Sequence, residues 1–290
     1  MKLSGVTRRS MGLKECLKDV LPRGRFWTDS ITAVEGCRHI SPGCGDHTGG
    51  GCWAEANHRL HSKNPGSGFS PEVLSGGKWN GKIIEHPERL ERILPKSNHR
   101  RQKVFTYWED IFYEGVSEDF QILLFEDIVI SKDYHVICTK RPHKAFEYLR
   151  DFPYRGLSNV IIMVTMEDQE RVYERAPFIT AMSRMGWKVG ALIEPMIGPV
   201  NLSVIGCPEC KGIGGYLGDS LSFCSCPICD GTPYLSLDWV ICGFENGKGK
   251  RPFDPVWAMR LQAQAGSAGV PFFFRSGLLN GKLYHESPDI

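Results

Sequence analysis

Residues 160–169 of this 290-residue chain run VIIMVTMEDQ, a short β-branched and apolar run followed by an acidic turn. A strand that is apolar on both faces is typical of a parallel sheet whose two faces are both covered. An acidic turn after such a strand, leading into a segment able to form a helix, is the pattern of a βα unit. The stretch therefore predicts one βα unit of a parallel α/β fold.

The same alternation of a short apolar strand and a helical segment recurs along the chain. Apolar periodicity predicts helices over 118–130 and 255–268, the second followed by a glycine that can cap its end. We expect an α/β fold with a full or partial (βα) barrel, and an open doubly wound sheet is the alternative that periodicity leaves open. Further strands are predicted at 104–107, 135–139, 188–193, 238–243 and 271–274, with an earlier one near 25–27 or 31–34.

Composition and charge narrow the class of protein. The chain has 23% charged and 41% hydrophobic residues, which is ordinary for a soluble globular protein, and its net charge of +2 provides no global basic field for nucleic acid. No apolar run approaches the roughly 20 residues that cross a bilayer, and residues 1–10 lack the apolar core of a secretory signal. We expect a cytoplasmic protein with no membrane partner, whose cysteines are reduced.

Three cysteines near the start of the chain form the first candidate metal site. Cys37 and Cys44 lie in EGCRHISPGC (35–44), and Cys52 lies in GGGCWAE (49–55), where a helix is expected to begin. Three thiolates are one too few for a closed zinc site but suit an iron-sulfur cluster that leaves one iron open. The alternative is a zinc ion completed by a histidine: His39, His47 or His58.

A second cysteine group lies in residues 203–236, a segment rich in Cys, Gly and Ser. It contains CPECKG (207–212) and CPICDG (226–231), two Cys-x-x-Cys knuckles typical of structural zinc. An auxiliary iron-sulfur cluster that also uses Cys224 is the alternative. The predicted zinc ligands are Cys207, Cys210, Cys226 and Cys229.

Three units follow from this organisation. Residues 1–24 form an N-terminal extension, residues 25–202 together with 237–290 form the barrel, and residues 203–236 form a metal-binding insertion. Polar side chains follow one predicted strand after another, and in a βα barrel that rim is where active sites are built. Taken singly, each of these residues is more often a helix cap or part of a surface ion pair.

The cysteine motif resembles that of a phage-associated family of radical S-adenosylmethionine (SAM) proteins with a widely spaced three-cysteine motif. The matching residues are Gly36-Cys37, SPGC at 41–44 and CWAE at 52–55. The interval from Cys44 to Cys52 is longer than in the family pattern, and Trp53 replaces a tyrosine. Further similar segments are HPERL (86–90), TKRP (139–142), EDQ (167–169), EP (194–195), GP (198–199), LDWVI (237–241) and VPFFF (270–274).

The resemblance implies a cofactor set. Cys37, Cys44 and Cys52 would bind three irons of a 4Fe-4S cluster, and the fourth iron would chelate SAM. A one-electron reductant would then yield a 5'-deoxyadenosyl radical that abstracts hydrogen from the substrate. The expected contacts to SAM are Glu109, Glu167, Glu194 and Asn246, and the arginines expected to hold DNA phosphates or a carboxylate are Arg141, Arg251 and Arg275.

The resemblance also implies a reaction. Relatives in phage DNA hypermodification include a radical SAM isomerase that converts N-linked glycinyl-thymidine to its Cα-linked isomer. We therefore expect such an isomerase, with DNA or a modified thymidine nucleotide as substrate. The alternatives are a radical SAM nucleobase lyase or repair enzyme, and a non-catalytic zinc-stabilised protein that binds nucleic acid.

Overall fold

The computed structural model describes residues 11–46, 49–64, 66–95, 101–202, 237–247 and 249–290, together with the backbone of two short strands at 215–217 and 223–225. The side chains of the predicted zinc knuckle, Cys224 among them, lie outside the described residues, as does His47. The prediction of a metal-binding insertion therefore stays a prediction.

The described elements alternate between strands and helices along most of the chain. The helices are α1 (Leu13–Leu17), α2 (Trp53–His61), α3 (Glu118–Ile130), α4 (Pro142–Asp151), α5 (Gln169–Arg184) and α6 (Pro255–Ser267). The strands are β1 (Asp29–Ile31), β2 (Val34–Glu35), β3 (Leu74–Ser75), β4 (Lys78–Trp79), β5 (Ile84–Glu85), β6 (Val104–Tyr107), β7 (Tyr134–Thr139), β8 (Val160–Thr165), β9 (Lys188–Ile193), β10 (Gly215–Leu217), β11 (Phe223–Ser225), β12 (Trp239–Cys242) and β13 (Phe272–Phe274).

Seven of these strands form one parallel sheet in the order β1-β6-β7-β8-β9-β12-β13. The sheet is curled into a half-barrel, and the strand order follows the chain without a reversal. A doubly wound sheet needs such a reversal, so the alternative left open by the sequence is wrong. The prediction of an α/β fold with a partial parallel barrel is confirmed.

The element boundaries follow from local chemistry. Three predicted strands, at 104–107, 160–165 and 188–193, match the structure residue for residue, and α3 does so as well. A side chain caps the first amides of α3, α5 and α6; at the start of α5, for example, Asp168 accepts a hydrogen bond from the N–H of Arg171 (2.8 Å). The strand predicted near 31–34 is split, since β1 joins the main sheet while β2 pairs antiparallel with β5.

The two faces of the sheet pack against different partners. The outer face buries apolar residues beneath α3 to α6, and the concave face buries a second cluster that includes Val136, Met163 and Trp239. Leu13 and Leu17 of α1 are fully buried in this second cluster. The Leu13 N–H donates to the Ile290 carbonyl (3.2 Å), so α1 and the last residue together close the concave face where the strands begin.

No helix in the described ranges is both long enough and apolar enough to cross a membrane.

The packing of α1 predicts the effect of Leu17→Ala. This side chain is fully buried, so its truncation should lower the free energy of unfolding by about 2–5 kcal/mol, measured by urea denaturation. Leu278→Ala is the matched control, because Leu278 is 63% exposed and its loss should change the free energy by less than about 0.5 kcal/mol. Equal effects of the two substitutions would contradict the packing of α1 in the core.

Candidate functional site

The carboxyl ends of the parallel strands bring the predicted polar residues to one rim. Since all seven strands run in the same direction, every residue that follows a strand lies at the same edge of the half-barrel. The rim residues that follow β6, β7, β8, β9, β12 and β13 are Glu109 and Asp110, Lys140 and Arg141, Glu167, Glu194, Glu245 and Arg275.

The loop that carries the three cysteines is attached to this rim. Cys37 follows β2, Cys44 ends a short 3-10 turn, and Cys52 directly precedes α2, as the sequence predicted for a helix start. The Gly43 N–H donates to Glu167 Oε1 (3.0 Å), which ties the loop to the end of β8. The cysteine loop therefore spans the mouth of the half-barrel.

Glu167 is an anchor for the cysteine loop. It is fully buried, and its second oxygen, Oε2, accepts a hydrogen bond from Nη1 of Arg175 on α5 (3.0 Å). Burial would raise the pKa of Glu167, but the charges of Arg175 and Lys140 lower it below its usual value of 4.5. Protein groups thus occupy both oxygens of a carboxylate that the sequence analysis had expected to contact SAM.

A second tie joins the loop to the end of β12. Arg251 donates from Nη2 and Nε to the two oxygens of Glu245 (2.7 and 2.9 Å), and from Nη1 to the carbonyl of Pro42 (2.9 Å). Gly50 has φ +74, and a Cβ there would lie 2.2 Å from Glu245 Oε1. Arg251, expected to bind substrate, instead holds the loop in place, and Glu245, which follows a predicted strand, is its partner.

Arg141 holds the first cysteine. It is 2% exposed, and it donates to the Arg38 carbonyl (2.8 Å), to Glu114 (2.8 Å) and, more weakly, to Cys37 Sγ (3.8 Å). Burial raises the pKa of the Cys37 thiol to about 12, and the nearby Asp110 carboxylate adds to the rise. Arg141 is therefore occupied inside the protein, and ligation of a metal by Cys37 would release a proton.

The third cysteine has the opposite electrostatic environment. His39 forms an ion pair with Glu55 (3.1 Å), and hydrogen bonds to Cys52 and Glu55 raise the pKa of His39 to about 10. Burial would raise the pKa of Cys52, but the hydrogen bond from His39 lowers it. His39 thus stabilises the thiolate of Cys52. The sequence offered His39 only as a possible zinc ligand, and its contact with Cys52 could not be predicted from its position two residues after Cys37.

A buried carboxylate also fixes the strand before Cys37. Glu35 accepts hydrogen bonds from the Ser70 N–H (2.7 Å), from His86 Nε2 (2.8 Å) and from Arg89 Nη2 (3.0 Å). His58 Nε2, offered above as a zinc ligand, lies 2.7 Å from the Ser70 carbonyl and 3.5 Å from Glu35. The segment HPERL therefore serves to hold β2 in place.

Glu109, at the end of β6, differs from these anchors. Glu109 is 5% exposed, and neither of its carboxylate oxygens has a hydrogen-bond partner among the described residues. Burial raises the pKa of Glu109 well above 4.5, with further contributions from Glu35 and Cys52. A buried polar group without a partner is unfavourable, so Glu109 is the rim carboxyl that is available for a ligand.

The remaining predicted residues lie on the far side of the rim. Arg275 forms a salt bridge with Glu194 and donates a hydrogen bond to the Gly24 carbonyl (3.2 Å). Its guanidinium group lies over the ring of Trp27, 5.0 Å from the ring centre. Asn246 is exposed in the loop after β12. Glu194 and Arg275 therefore form one ion pair at the rim rather than two separate ligand groups.

Among the described residues, no group of three or more His, Cys, Asp or Glu side chains converges closely enough to hold a single metal ion. The cysteines in this part of the chain form no disulfide, and the charges of Cys37, Cys44 and Cys52 influence one another.

Comparison with known proteins gives one match. A family model described as "Protein of unknown function (DUF5131)" matches residues 25–282, which covers the half-barrel and the cysteine loop. No curated protein and no solved structure matches the chain.

The loop geometry predicts different effects for two adjacent glycines. Gly50→Ala should lower the free energy of unfolding by about 1–2 kcal/mol, because φ is +74 and the new Cβ would meet Glu245. Alkylation of Cys44 and Cys52 in the metal-free protein should also become faster. Gly51→Ala is the control, since a Cβ there meets nothing within 4 Å. Identical behaviour of both variants would mean that Glu245 does not hold the loop.

The tie between Glu245 and Arg251 predicts a pH dependence. Burial would raise the pKa of Glu245, but hydrogen bonds from Arg251 lower it below 4.5. Its contribution to stability is therefore complete above pH 4.5 and is lost as the pH falls through the lowered pKa. Glu245→Gln should destabilise the protein by about 1.5–3 kcal/mol at neutral pH.

The difference in unfolding free energy between wild type and Glu245→Gln should then shrink below pH 4.5, measured by urea denaturation across a pH series. A difference that stays constant with pH would show that the carboxylate charge contributes nothing to the tie.

Proposed function

This chain belongs to the DUF5131 family, whose function is unknown, and we propose that it is a radical SAM isomerase that acts on N-linked glycinyl-thymidine in phage DNA. The observation that carries the proposal is the placement of three cysteines on one loop across the carboxyl rim of a parallel half-barrel. The implied cofactors are a 4Fe-4S cluster on Cys37, Cys44 and Cys52, and SAM.

The donor set suits a cluster. A tetrahedral zinc site with Zn–S bonds of about 2.3 Å requires ligand sulfurs about 3.8 Å apart. In a cubane cluster each cysteine binds its own iron, so three thiolates need not converge on one point. Besides burial, the charges of Cys52 and Cys44 both contribute to the raised pKa of Cys37, and no three His, Cys, Asp or Glu side chains converge on one point among the described residues. We therefore propose the cluster, in which each thiolate binds a different iron, and keep zinc completed by His39, His47 or His58 as the alternative.

Positive charge at the end of β7 supports the same interpretation. Burial would lower the pKa of Lys140, but the negative groups Cys44, Glu167 and Cys52 raise it, so Lys140 stays charged beside the loop. Arg141 lies beside Cys37. A cluster with three thiolates carries net negative charge, which two adjacent cations stabilise.

Glu109 is the group we assign to the ligand. SAM carries an ammonium group and ribose hydroxyls, all hydrogen-bond donors, and neither oxygen of Glu109 has a hydrogen-bond partner among the described residues. The positive charge of the ammonium group would favour the ionised carboxylate, both of whose oxygens accept hydrogen bonds. Glu167 is proposed as the loop anchor instead, because both of its oxygens are occupied. The sequence predicts that both residues contact SAM. The proposal keeps that role for Glu109 and gives Glu167 the role of holding the loop.

The chain itself contributes position and shielding. When bound, the cluster and SAM supply the one-electron chemistry that removes a hydrogen atom from an unreactive C–H bond. Below the rim, the concave face is apolar, with Met163 fully buried and Leu192 7% exposed. Apolar surroundings exclude water from a reactive centre. The isomerisation requires this, since the bond from the thymine methyl carbon to the glycine nitrogen is exchanged for a bond from the same carbon to the glycine α-carbon, with the α-hydrogen replaced by a hydrogen on nitrogen and no water added.

Cleavage of SAM tests the assignment of the cluster. With a strong chemical reductant under anaerobic conditions, wild type should release 5'-deoxyadenosine, and Cys44→Ala should reduce that release at least 100-fold, to the uncatalysed background. Cys16→Ala is the control, because Cys16 is a buried residue of α1, which packs where the strands begin, at the opposite end of the sheet from the rim. Retained cleavage in Cys44→Ala would place the cluster elsewhere.

The substrate is tested separately with DNA that carries N-linked glycinyl-thymidine, digested to nucleosides after reaction. An isomeric nucleoside of unchanged mass and shifted retention supports isomerisation, whereas loss of the glycinyl group supports the lyase or repair alternative. Unchanged DNA together with SAM cleavage would reject this substrate. A protein that contains only zinc and cleaves no SAM would instead support the non-catalytic alternative.

A further inference from the structure

Helix α2 presents an exposed surface that the proposed cofactor site does not use. Trp53 is 53% exposed and Leu60 is 65% exposed, although both are large apolar side chains. Residues three, four and seven positions apart share a helix face, so Trp53, Leu60 and His61 lie along one side of α2. We call Trp53, Trp108, Phe69 and His61 the aromatic surface.

The aromatic surface is continuous and begins at the rim. The ring of Trp53 lies 5.5 Å from that of Trp108, and Trp108 directly precedes Glu109 at the end of β6. Trp108 contacts Phe69 (5.5 Å), and Phe69 stacks on His61 (5.2 Å). Because Trp53 immediately follows Cys52, this row of aromatic rings begins beside the cysteine loop and extends away from it.

Packing explains only the inner part of this surface. Phe69 and Trp79 contact the buried ring of His58, and these contacts fix α2 to the hairpin of β3 and β4. Trp53 contacts the ring of Trp108 edge-on and leaves about half of its own surface exposed to solvent. A large aromatic residue half exposed beside a reactive rim is available for a ligand.

The charge around the aromatic surface is positive. Along α2 and its end the exposed charged residues are Arg59 and Lys63, and the single acidic residue of the helix, Glu55, is buried and paired with His39 and Lys78. Lys78 is 64% exposed. On the neighbouring hairpin the exposed Glu72 is paired with Lys82. The surface therefore carries excess positive charge, which complements phosphate.

We propose that the aromatic surface of α2 binds an unstacked DNA strand next to the target nucleotide, with Trp53 stacking on a base and Arg59 and Lys63 contacting phosphates. Aromatic stacking with flanking cations is how proteins bind single strands and flipped-out bases without reading sequence. The inference rests on the proposed function in taking nucleic acid as substrate. It goes further by assigning a surface of this chain, and Trp53, Arg59 and Lys63 on it, to the DNA strand beside the target nucleotide.

Binding of a fluorescein-labelled single-stranded oligothymidylate to the metal-free protein, measured by anisotropy, tests the inference. Trp53→Ala should weaken binding about 5- to 150-fold, the range expected for the loss of one base stack. Trp53→Tyr should restore affinity to within about threefold, because a tyrosine ring still stacks. Tyr173→Ala on α5 is the matched control, since Tyr173 is 59% exposed but distant along the fold, and should bind as wild type does.

Surface charges provide a second variant that does not disturb packing. Arg59→Gln with Lys63→Gln should reduce the slope of log affinity against log salt by about 1.4, or 0.7 per lost phosphate contact on a single strand. Lys132→Gln, exposed on the opposite end of the half-barrel, should leave the slope unchanged. An unchanged slope in the double variant would overturn the phosphate contacts.

Three outcomes would overturn the inference: no binding by wild type, wild-type affinity in Trp53→Ala, or the same loss in Tyr173→Ala. If Trp53→Ala binds DNA as wild type does, and its turnover is slower with a protein electron donor but normal with a chemical reductant, the aromatic surface binds the electron donor instead of DNA. Because the assay uses metal-free protein without SAM, DNA binding and 5'-deoxyadenosine release can each fail alone, which separates this inference from the proposed function.

Discussion

The hydrogen bond from the Gly43 N–H to Glu167 is the interaction on which the rest of the site depends. It joins the middle of the cysteine loop to the end of a central strand, and Arg175 holds the other oxygen of the same carboxylate. The contact requires glycine, because a Cβ at position 43 would lie 2.8 Å from Glu167 Oε1. Further contacts that hold the loop between β2 and α2 come from Arg251, which donates to the Pro42 carbonyl, and from Arg141, which donates to the Arg38 carbonyl.

Buried carboxylates serve two purposes in this molecule. Glu35, Glu55, Glu167 and Glu245 accept hydrogen bonds from backbone amides and from cations, so each positions a segment around the cysteines. Glu109 is buried in the same region, yet neither of its oxygens has a hydrogen-bond partner in the part of the chain that the structure describes. Fully satisfied carboxylates make the site rigid, while the unsatisfied one marks where a ligand with hydrogen-bond donors would be stabilised.

Much of the fold could be predicted from the sequence, because parallel strands covered on both faces leave continuous apolar runs such as 160–165 and 188–193. The sequence also placed the rim residues on one edge, since strand direction alone determines that. It could not assign their roles. Whether an arginine faces solvent or clamps a loop depends on partners distant in the chain, such as Arg251 with Pro42 or Arg141 with Arg38. The role of Glu245 and the presence of Arg175 at the site could not be predicted for the same reason.

The most direct test of the cluster on Cys37, Cys44 and Cys52 is to measure iron, sulfide and zinc per chain in anaerobically reconstituted protein whose knuckle cysteines, Cys207, Cys210, Cys226 and Cys229, have been replaced by alanine. The account predicts about four irons and four sulfides per chain. After one-electron reduction it also predicts a paramagnetic resonance signal that changes when SAM is added. Zinc without iron in this variant, or a resonance signal that does not change when SAM is added, would contradict the account.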